Sequence, residues 1–177
     1  MEHESMQIPI MLSVTINDLA GRTLSGQTLD AFLASISTFQ IFSVGLNCSF
    51  GARQMKPYIR ELSRHAPYYI SIYPNAGIPD SFGHYDDSPE SMAMEISELV
   101  NDGIVNIVGG CCGTTDKYIS KLVNVVEGKK PHVPEFVCKH LQLSGLDKLE
   151  LTSEVKFINV GERCNVSGSR KFLRLIK

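Results

Sequence analysis

The sequence predicts an α/β fold built from four strand–helix units in series. Short apolar runs alternate four times with segments whose apolar residues recur at helical spacing. Strands that alternate with helices pair in parallel through right-handed crossovers. Two architectures satisfy this pattern, an open doubly wound sheet and a (β/α)8 barrel. Because a full barrel takes about 250 residues, the 177 residues of this chain could hold only half of one.

The first two units occupy the segment before residue 66. Residues 8–14 form an apolar run typical of a buried strand, and Thr28 can cap the helix that follows. A second strand is predicted at residues 41–46. In the helix after it, apolar positions recur from Met55 to Leu62, and Pro57 is expected in the first turn, where proline is tolerated.

The third and fourth units have clearer residues for starting and ending helices. Strand-forming residues fill 68–72, and Ser88 followed by Pro89 is a strong helix start. Gly103 can end that helix, and 104–108 reads as the fourth strand. The apolar positions of the last helix, which we expect to be buried, are Ile119, Leu122, Val123 and Val126.

Composition changes after Gly128. Residues 129–153 contain two prolines near their start and are interpreted as a linker. Residues 154–161 predict a new strand, and 169–177 predict the opening of a new helix. We therefore expect a first unit at 1–128, a linker at 129–153 and the start of another domain at 154–177. Because one strand and one helix cannot bury a core, the chain is expected to be part of something longer.

Composition and charge exclude several function classes. A formal net charge of -2 with scattered basic residues disfavours nucleic acid as a partner. No apolar run approaches the roughly 20 residues that span a bilayer, and the acidic N-terminus shows no secretory signal. The five cysteines are then best read as thiols in a reducing compartment, so a cytoplasmic protein is expected.

Two cysteine segments carry the strongest functional signal. Cys111 and Cys112 lie between glycines directly after the fourth strand, and Cys48 directly follows the second. Sites in parallel α/β folds are built at these strand ends. Three thiolates would give zinc three protein ligands and leave a fourth position open, as in catalytic sites. The alternatives are buried packing residues for all three cysteines, or a strained vicinal disulfide for the adjacent pair.

Two further residues follow strands at the same end of the sheet. Asn75 comes after the third strand, and its amide could hold an amino-acid head group. Alternatively, Asn75 only forms a turn before a glycine. Thr15 occupies the equivalent place after the first strand and is a second candidate for binding substrate.

The segments 45–48 (GLNC) and 109–114 (GGCCGT) resemble the signature of the zinc-dependent homocysteine S-methyltransferases. The resemblance covers residues 8 to about 128 and includes 21–26 and 74–77. It implies the C-terminal half of a (β/α)8 barrel in which Cys48, Cys111 and Cys112 bind zinc and homocysteine sulfur is the fourth ligand. It also implies that Asn75 binds substrate.

The tail, residues 160–169, is similar to the first strand and loop of the pterin-binding barrel in cobalamin-dependent methionine synthases. That similarity implies methylcobalamin as the immediate methyl donor and 5-methyltetrahydrofolate as the ultimate one, with Asn165 near the pterin. Cys164 and Cys138 receive no metal role.

By the same resemblance, half a barrel and the cobalamin module are absent from this chain. We expect little or no methyl transfer by the chain alone, and exposed sheet edges that invite self-association or a partner. Two alternatives stay open: a betaine-type or other thiol methyltransferase, and a non-enzymatic zinc-binding or assembly module.

Overall fold

Four parallel strands form one sheet, and a helix follows each of them. The computed structural model describes residues 8–135, 140–155, 157–159 and 166–177. Its elements in chain order are β1 (Met11–Val14), α1 (Leu29–Ile36), β2 (Ser43–Gly51), α2 (Ala52–His65), β3 (Tyr69–Asn75), α3 (Pro89–Asn101), β4 (Ile107–Val108), α4 (Asp116–Val126), β5 (Leu141–Ser144), β6 (Lys148–Leu151) and α5 (Arg170–Ile176).

The strand order decides between the two predicted architectures. The sheet runs β1-β2-β3-β4, and every neighbouring pair is parallel. A doubly wound sheet reverses its strand order at a switch point, whereas a barrel adds each strand beside the previous one. Successive helices contact each other, α1 with α2, α2 with α3 and α3 with α4, so they lie on one face of the sheet. The strand order and the parallel pairing are therefore consistent with part of a (β/α)8 barrel.

The core lies between the sheet and the helices. Alternate residues of the central strands, Val44 and Leu46 in β2 and Ile70 and Ile72 in β3, are fully buried. The fully buried helix residues of the same cluster include Leu29, Ala52, Met55, Ile59, Leu62, Met92, Ile96 and Leu99. This alternation sends the intervening positions to the other face of the sheet. Residues of all four βα units thus pack in one continuous core, which fixes the relative positions of the strand ends.

Capping residues begin the helices where the sequence predicts. The Thr28 side chain accepts a hydrogen bond from Ala31 N–H, and the Ser88 side chain accepts one from Ser91 N–H, with Pro89 as the first helical residue. Ser169 caps α5 in the same way. Each cap satisfies one of the amide groups that a helix start leaves without an intrahelical acceptor.

Two details of the helices differ from prediction. Pro57 lies after five helical residues and not in the first turn. It is exposed, so water can reach the carbonyl that its missing N–H leaves without a partner. In α4 only Leu122 is buried, while Ile119, Val123 and Val126 are 44%, 55% and 37% exposed. Burial is therefore confirmed for Leu122 and wrong for the other three positions, because α4 follows the edge strand β4 and packs mainly against α3.

The segment interpreted as a linker contains an antiparallel hairpin that the sequence analysis missed. Strands β5 and β6 pair in register and pack against α1. Ser144 Oγ donates to Ala31 O at 2.7 Å, and Thr28 N–H donates to Leu146 O at 2.9 Å. The hairpin is therefore joined to the first βα unit by hydrogen bonds as well as by packing.

Of the strand predicted at 154–161, residues 154, 155 and 157–159 are described and form no strand; 156, 160 and 161 lie outside the described part. A strand needs a hydrogen-bonded neighbour, and none of the six strands pairs with this segment. The helix predicted at 169–177 is confirmed as α5. The described residues show no second barrel, and none of their helices is both long and apolar enough to cross a bilayer.

Candidate metal centre

Cys48 is presented by a strained turn within β2. The backbone of Cys48 and Ser49 adopts φ angles of 61° and 64°, the left-handed region that non-glycine residues rarely occupy. The register with β3 shifts between Asn47 and Gly51, where the strand bulges. Such strain costs on the order of 1–3 kcal/mol per residue and is concentrated at functional sites. Here it places the Cys48 sulfur 3.6 Å from the Cys112 sulfur.

Cys111 and Cys112 lie on a tight turn between β4 and α4. Cys111 N–H donates to Pro74 O at 2.8 Å, which ties the turn to the end of β3. Thr114 Oγ1 donates back to Cys111 O at 2.7 Å, and Gly113 has a φ of +77° that glycine adopts without strain. These contacts explain how adjacent cysteines can both face one point, which a regular strand would forbid.

The three sulfurs fit a single zinc ion. The Cys111 and Cys112 sulfurs are 3.9 Å apart, and all three lie within 4.8 Å of one another. Ligands at about 2.3 Å from a tetrahedral zinc would be about 3.8 Å apart. The Cys48–Cys112 and Cys111–Cys112 sulfur separations, 3.6 and 3.9 Å, bracket that value.

The alternative interpretations of these cysteines do not match the structure. A disulfide requires sulfurs about 2.05 Å apart, and these three thiols are free. Cys48 and Cys111 are half-buried and Cys112 is exposed, so none is a packed core residue.

The three thiols shift one another's pKa values. Burial acts to raise the pKa of Cys48, but hydrogen bonds from Ser49 N–H, the two other thiols and Asn75 outweigh it, and the pKa is lowered. Burial raises the pKa of Cys111 to about 11, with added contributions from its hydrogen bonds to Cys48 and Cys112. The site thus stabilises one thiolate at the expense of its neighbour.

Asn75 lies at the centre of this cluster, at the end of β3. Its side chain is buried, with 3% of the residue exposed. Its Oδ1 accepts from Cys112 N–H at 3.1 Å. Asn75 therefore ties the turn that carries Cys111 and Cys112 to the end of β3, and its role in binding substrate stays a prediction.

Thr15 is exposed and contacts the residue that precedes Cys48. Its Oγ1 donates to Asn47 Oδ1 at 3.4 Å, and Ser13 Oγ donates to the same oxygen at 2.8 Å. These hydroxyls therefore support the strand that carries the ligand. The predicted pterin contact, Asn165, lies outside the described residues, as do Cys138 and Cys164.

Sequence reasoning missed Tyr85, which approaches the site from the loop between β3 and α3. Its ring packs on Gly113, the residue that follows Cys112. Neither spacing nor periodicity relates Tyr85 to the cysteines, because the contact depends on how a loop folds back.

A second group with metal-binding side chains, Asp30, Glu61 and His65, lies between α1 and α2. His65 Nδ1 is 2.7 Å from Asp30 Oδ1, and Lys148 Nζ is 3.4 Å from Asp30 Oδ2. Because a lysine already neutralises this cluster, we assign no metal to it.

Comparison with known protein families matches this chain to one of them. The family model described as homocysteine S-methyltransferase matches residues 1–126, which is more than two thirds of the 177 residues. The match includes the four βα units and all three cysteines of the cluster. The chain belongs to the homocysteine S-methyltransferase family.

Proposed function

We propose that this member of the homocysteine S-methyltransferase family transfers a methyl group to the thiol of homocysteine, forming methionine, at a zinc ion held by Cys48, Cys111 and Cys112. The observation that carries the zinc assignment is the spacing of the three sulfurs, which suits tetrahedral zinc. The family match supports methyl transfer to this thiol.

The acidity of a thiol explains why zinc would be useful here. A free thiol has a pKa near 8.5, so little thiolate exists at neutral pH. Bound zinc would deprotonate the substrate thiol and leave its sulfur nucleophilic. The chemistry supplied would be this activated sulfur, which would bond to the methyl carbon as the bond from that carbon to its donor breaks. Because the thiol proton would already have gone to solvent, none of the chain's side chains would be needed as a base.

The chain's own residues would hold this site in place. The strained turn at Cys48 fixes one ligand, and the glycine-flanked turn at 109–113 fixes the other two. Asn75 locks the second turn to the end of β3 and is proposed, with Thr15, to contact the amino-acid part of homocysteine.

We assign methylcobalamin as the immediate methyl donor and 5-methyltetrahydrofolate as the ultimate donor, on the similarity of residues 160–169 to a pterin-binding barrel. Asn165 is proposed to contact the pterin. The proposed partners are a half-barrel and a cobalamin module, and a second copy of the chain could also cover the open edges. The edge strand β1 presents Met11 at 51% exposure, beside the exposed Ile10.

Homocysteine binding distinguishes the proposed enzyme from the alternative, a module that binds zinc but no substrate. Homocysteine should bind the zinc-loaded chain with release of about one proton, measured by calorimetry in buffers of different ionisation enthalpy, since the thiol binds as thiolate. Homoserine, which has a hydroxyl in place of the thiol, is the matched control ligand. Homocysteine binding without proton release, or homoserine binding equally well, would contradict the thiolate site.

Donor identity needs a separate assay. Methionine formation from homocysteine is followed by mass spectrometry with methylcobalamin or betaine as the donor. We expect low turnover by the chain alone, and any turnover should depend on methylcobalamin. Turnover that depends on betaine would favour the betaine-type alternative.

A further inference from the structure

A row of side chains crosses the sheet beside the three-cysteine cluster, on the face opposite the helices. Leu46 is fully buried in the core, so Asn47, the next residue of β2, projects from the opposite face. The register places Tyr73 of β3 beside Asn47, and the Tyr73 ring packs on Gly109. Thr15 lies on the other side of Asn47 and hydrogen-bonds it. Since Asn47 precedes Cys48 directly, this row borders the position at which a substrate thiol would bind.

The amide of Asn47 is held in one orientation by two hydroxyl groups. Ser13 Oγ donates to Asn47 Oδ1 at 2.8 Å, and Thr15 Oγ1 donates to the same oxygen at 3.4 Å. A carboxamide oxygen has two lone pairs, so its accepting capacity is used. Within the described part of the chain, no group accepts a hydrogen bond from Asn47 Nδ2. The side chain is half-buried, so its two N–H donors are oriented and still accessible to a ligand.

These donors suit the carboxylate of an amino acid and not its ammonium group. Amide N–H groups bind carboxylates through charge-assisted hydrogen bonds. An ammonium group needs an acceptor, and the only acceptor of the Asn47 side chain is already engaged. In homocysteine a short chain separates the carboxylate from the sulfur. A sulfur bound at the three cysteines therefore leaves the carboxylate within reach of residues next to them, of which Asn47 is one.

We propose that Asn47 is a specificity-determining residue that binds the α-carboxylate of homocysteine through Nδ2, with Ser13 and Thr15 orienting its amide. The inference rests on the proposed function, because it needs the substrate sulfur at the three cysteines. It adds to that function the part of the substrate that β2 recognises. A thiol without a carboxylate gains nothing from Asn47.

The test compares Asn47→Asp with Asn124→Asp in the full chain loaded with zinc. Asn47→Asp keeps an oxygen that accepts from Ser13 and Thr15, but it replaces the N–H donors with a second, negatively charged acceptor. Asn124→Asp adds the same charge on the exposed side of α4. Calorimetry measures the binding of homocysteine, of 4-mercaptobutyrate, which lacks the amino group, and of 3-aminopropanethiol, which lacks the carboxylate.

The loss of affinity should be confined to the ligands that carry a carboxylate. Asn47→Asp should bind homocysteine and 4-mercaptobutyrate about 10- to 100-fold more weakly than the wild type, because a hydrogen bond to a charged group is lost. Its binding of 3-aminopropanethiol should not weaken, which also shows that the fold and the zinc are intact. Asn47→Ala, which removes the donors without adding a charge, should show the same selectivity. Asn124→Asp should bind all three thiols as the wild type does.

The outcomes distinguish this inference from the function on which it rests. Equal weakening of all three thiols in Asn47→Asp and Asn47→Ala would show a structural role for Asn47 and overturn the inference. Unchanged binding of homocysteine in both variants would also overturn it, while wild-type binding with proton release would leave the proposed function standing. Wild-type chain that binds none of the three thiols would overturn both proposals.

Discussion

Replacing Asn75 with alanine should weaken the fold and the metal centre together. The side chain is buried and ties the turn that carries Cys112 to the end of β3, since its Oδ1 accepts from Cys112 N–H at 3.1 Å. Alanine would remove this hydrogen bond and leave the Cys112 amide without this acceptor.

The expected destabilisation follows from the hydrogen bond that alanine cannot make. A buried polar group left unsatisfied costs about 1–3 kcal/mol. For a chain of this size each kcal/mol lowers the melting temperature by about 2–4 °C, so a fall of about 2–12 °C is expected for the metal-free protein. Zinc affinity should fall by about 10- to 100-fold, because the orientation of Cys112 is no longer fixed.

The assay uses urea unfolding with chelator present, so that metal binding does not contribute to the measured free energy. Asn124→Ala is the matched control, because Asn124 lies on the exposed side of α4 and alanine is a good helix former there. A free energy of unfolding for Asn75→Ala equal to that of Asn124→Ala would refute the reasoning. So would an unchanged zinc affinity.

Two further predictions concern the helices that support the site. Glu95→Gln should cost about 1.5–3 kcal/mol at pH 7, because the buried Glu95 carboxylate pairs with Lys56 and Arg53. Its hydrogen bond to Lys56 is the main cause that lowers its pKa. The stabilisation is therefore present above the unfolded pKa of about 4.3 and lost as the pH falls through the lower folded value. Urea unfolding at pH 7 and pH 3 should show a smaller cost at pH 3, and an equal cost at both would contradict the ion pair. Ser88→Ala should cost about 1 kcal/mol in the same assay, because the Ser88 side chain caps α3, and an unchanged stability would show that the cap is dispensable.

The order of the βα units was predictable from the sequence because hydrophobic period and capping residues are local signals. Thr28 and Ser88 mark helix starts by side-chain chemistry that needs no tertiary information. The apolar face of α4 could not be predicted in the same way. Ile119 and Val123 have helical spacing, but whether a face is buried depends on what lies beside it, and α4 lies at the edge of the sheet.

The candidate site was predictable in outline because parallel strand ends meet at one edge. That rule placed Cys48, Asn75, Cys111 and Cys112 together, and the structure brings all four into contact. The left-handed backbone at Cys48 and the packing of the Tyr85 ring on Gly113 could not be predicted, since both depend on loop conformation. The hairpin at 141–151 was also missed, because its strands are short and the prolines before them favoured a linker.

Zinc stoichiometry of the full chain tests the central claim most directly. Wild-type protein, purified and dialysed against zinc without strong chelator, should contain one zinc per chain. Cys48→Ser, Cys111→Ser and Cys112→Ser should each lose most of it, while Cys138→Ser, a cysteine to which the sequence gives no metal role, should keep it. A single shared ion predicts this result, because its three sulfur ligands come from two segments that the fold brings within 4.8 Å. Undiminished zinc in Cys48→Ser would contradict the shared site.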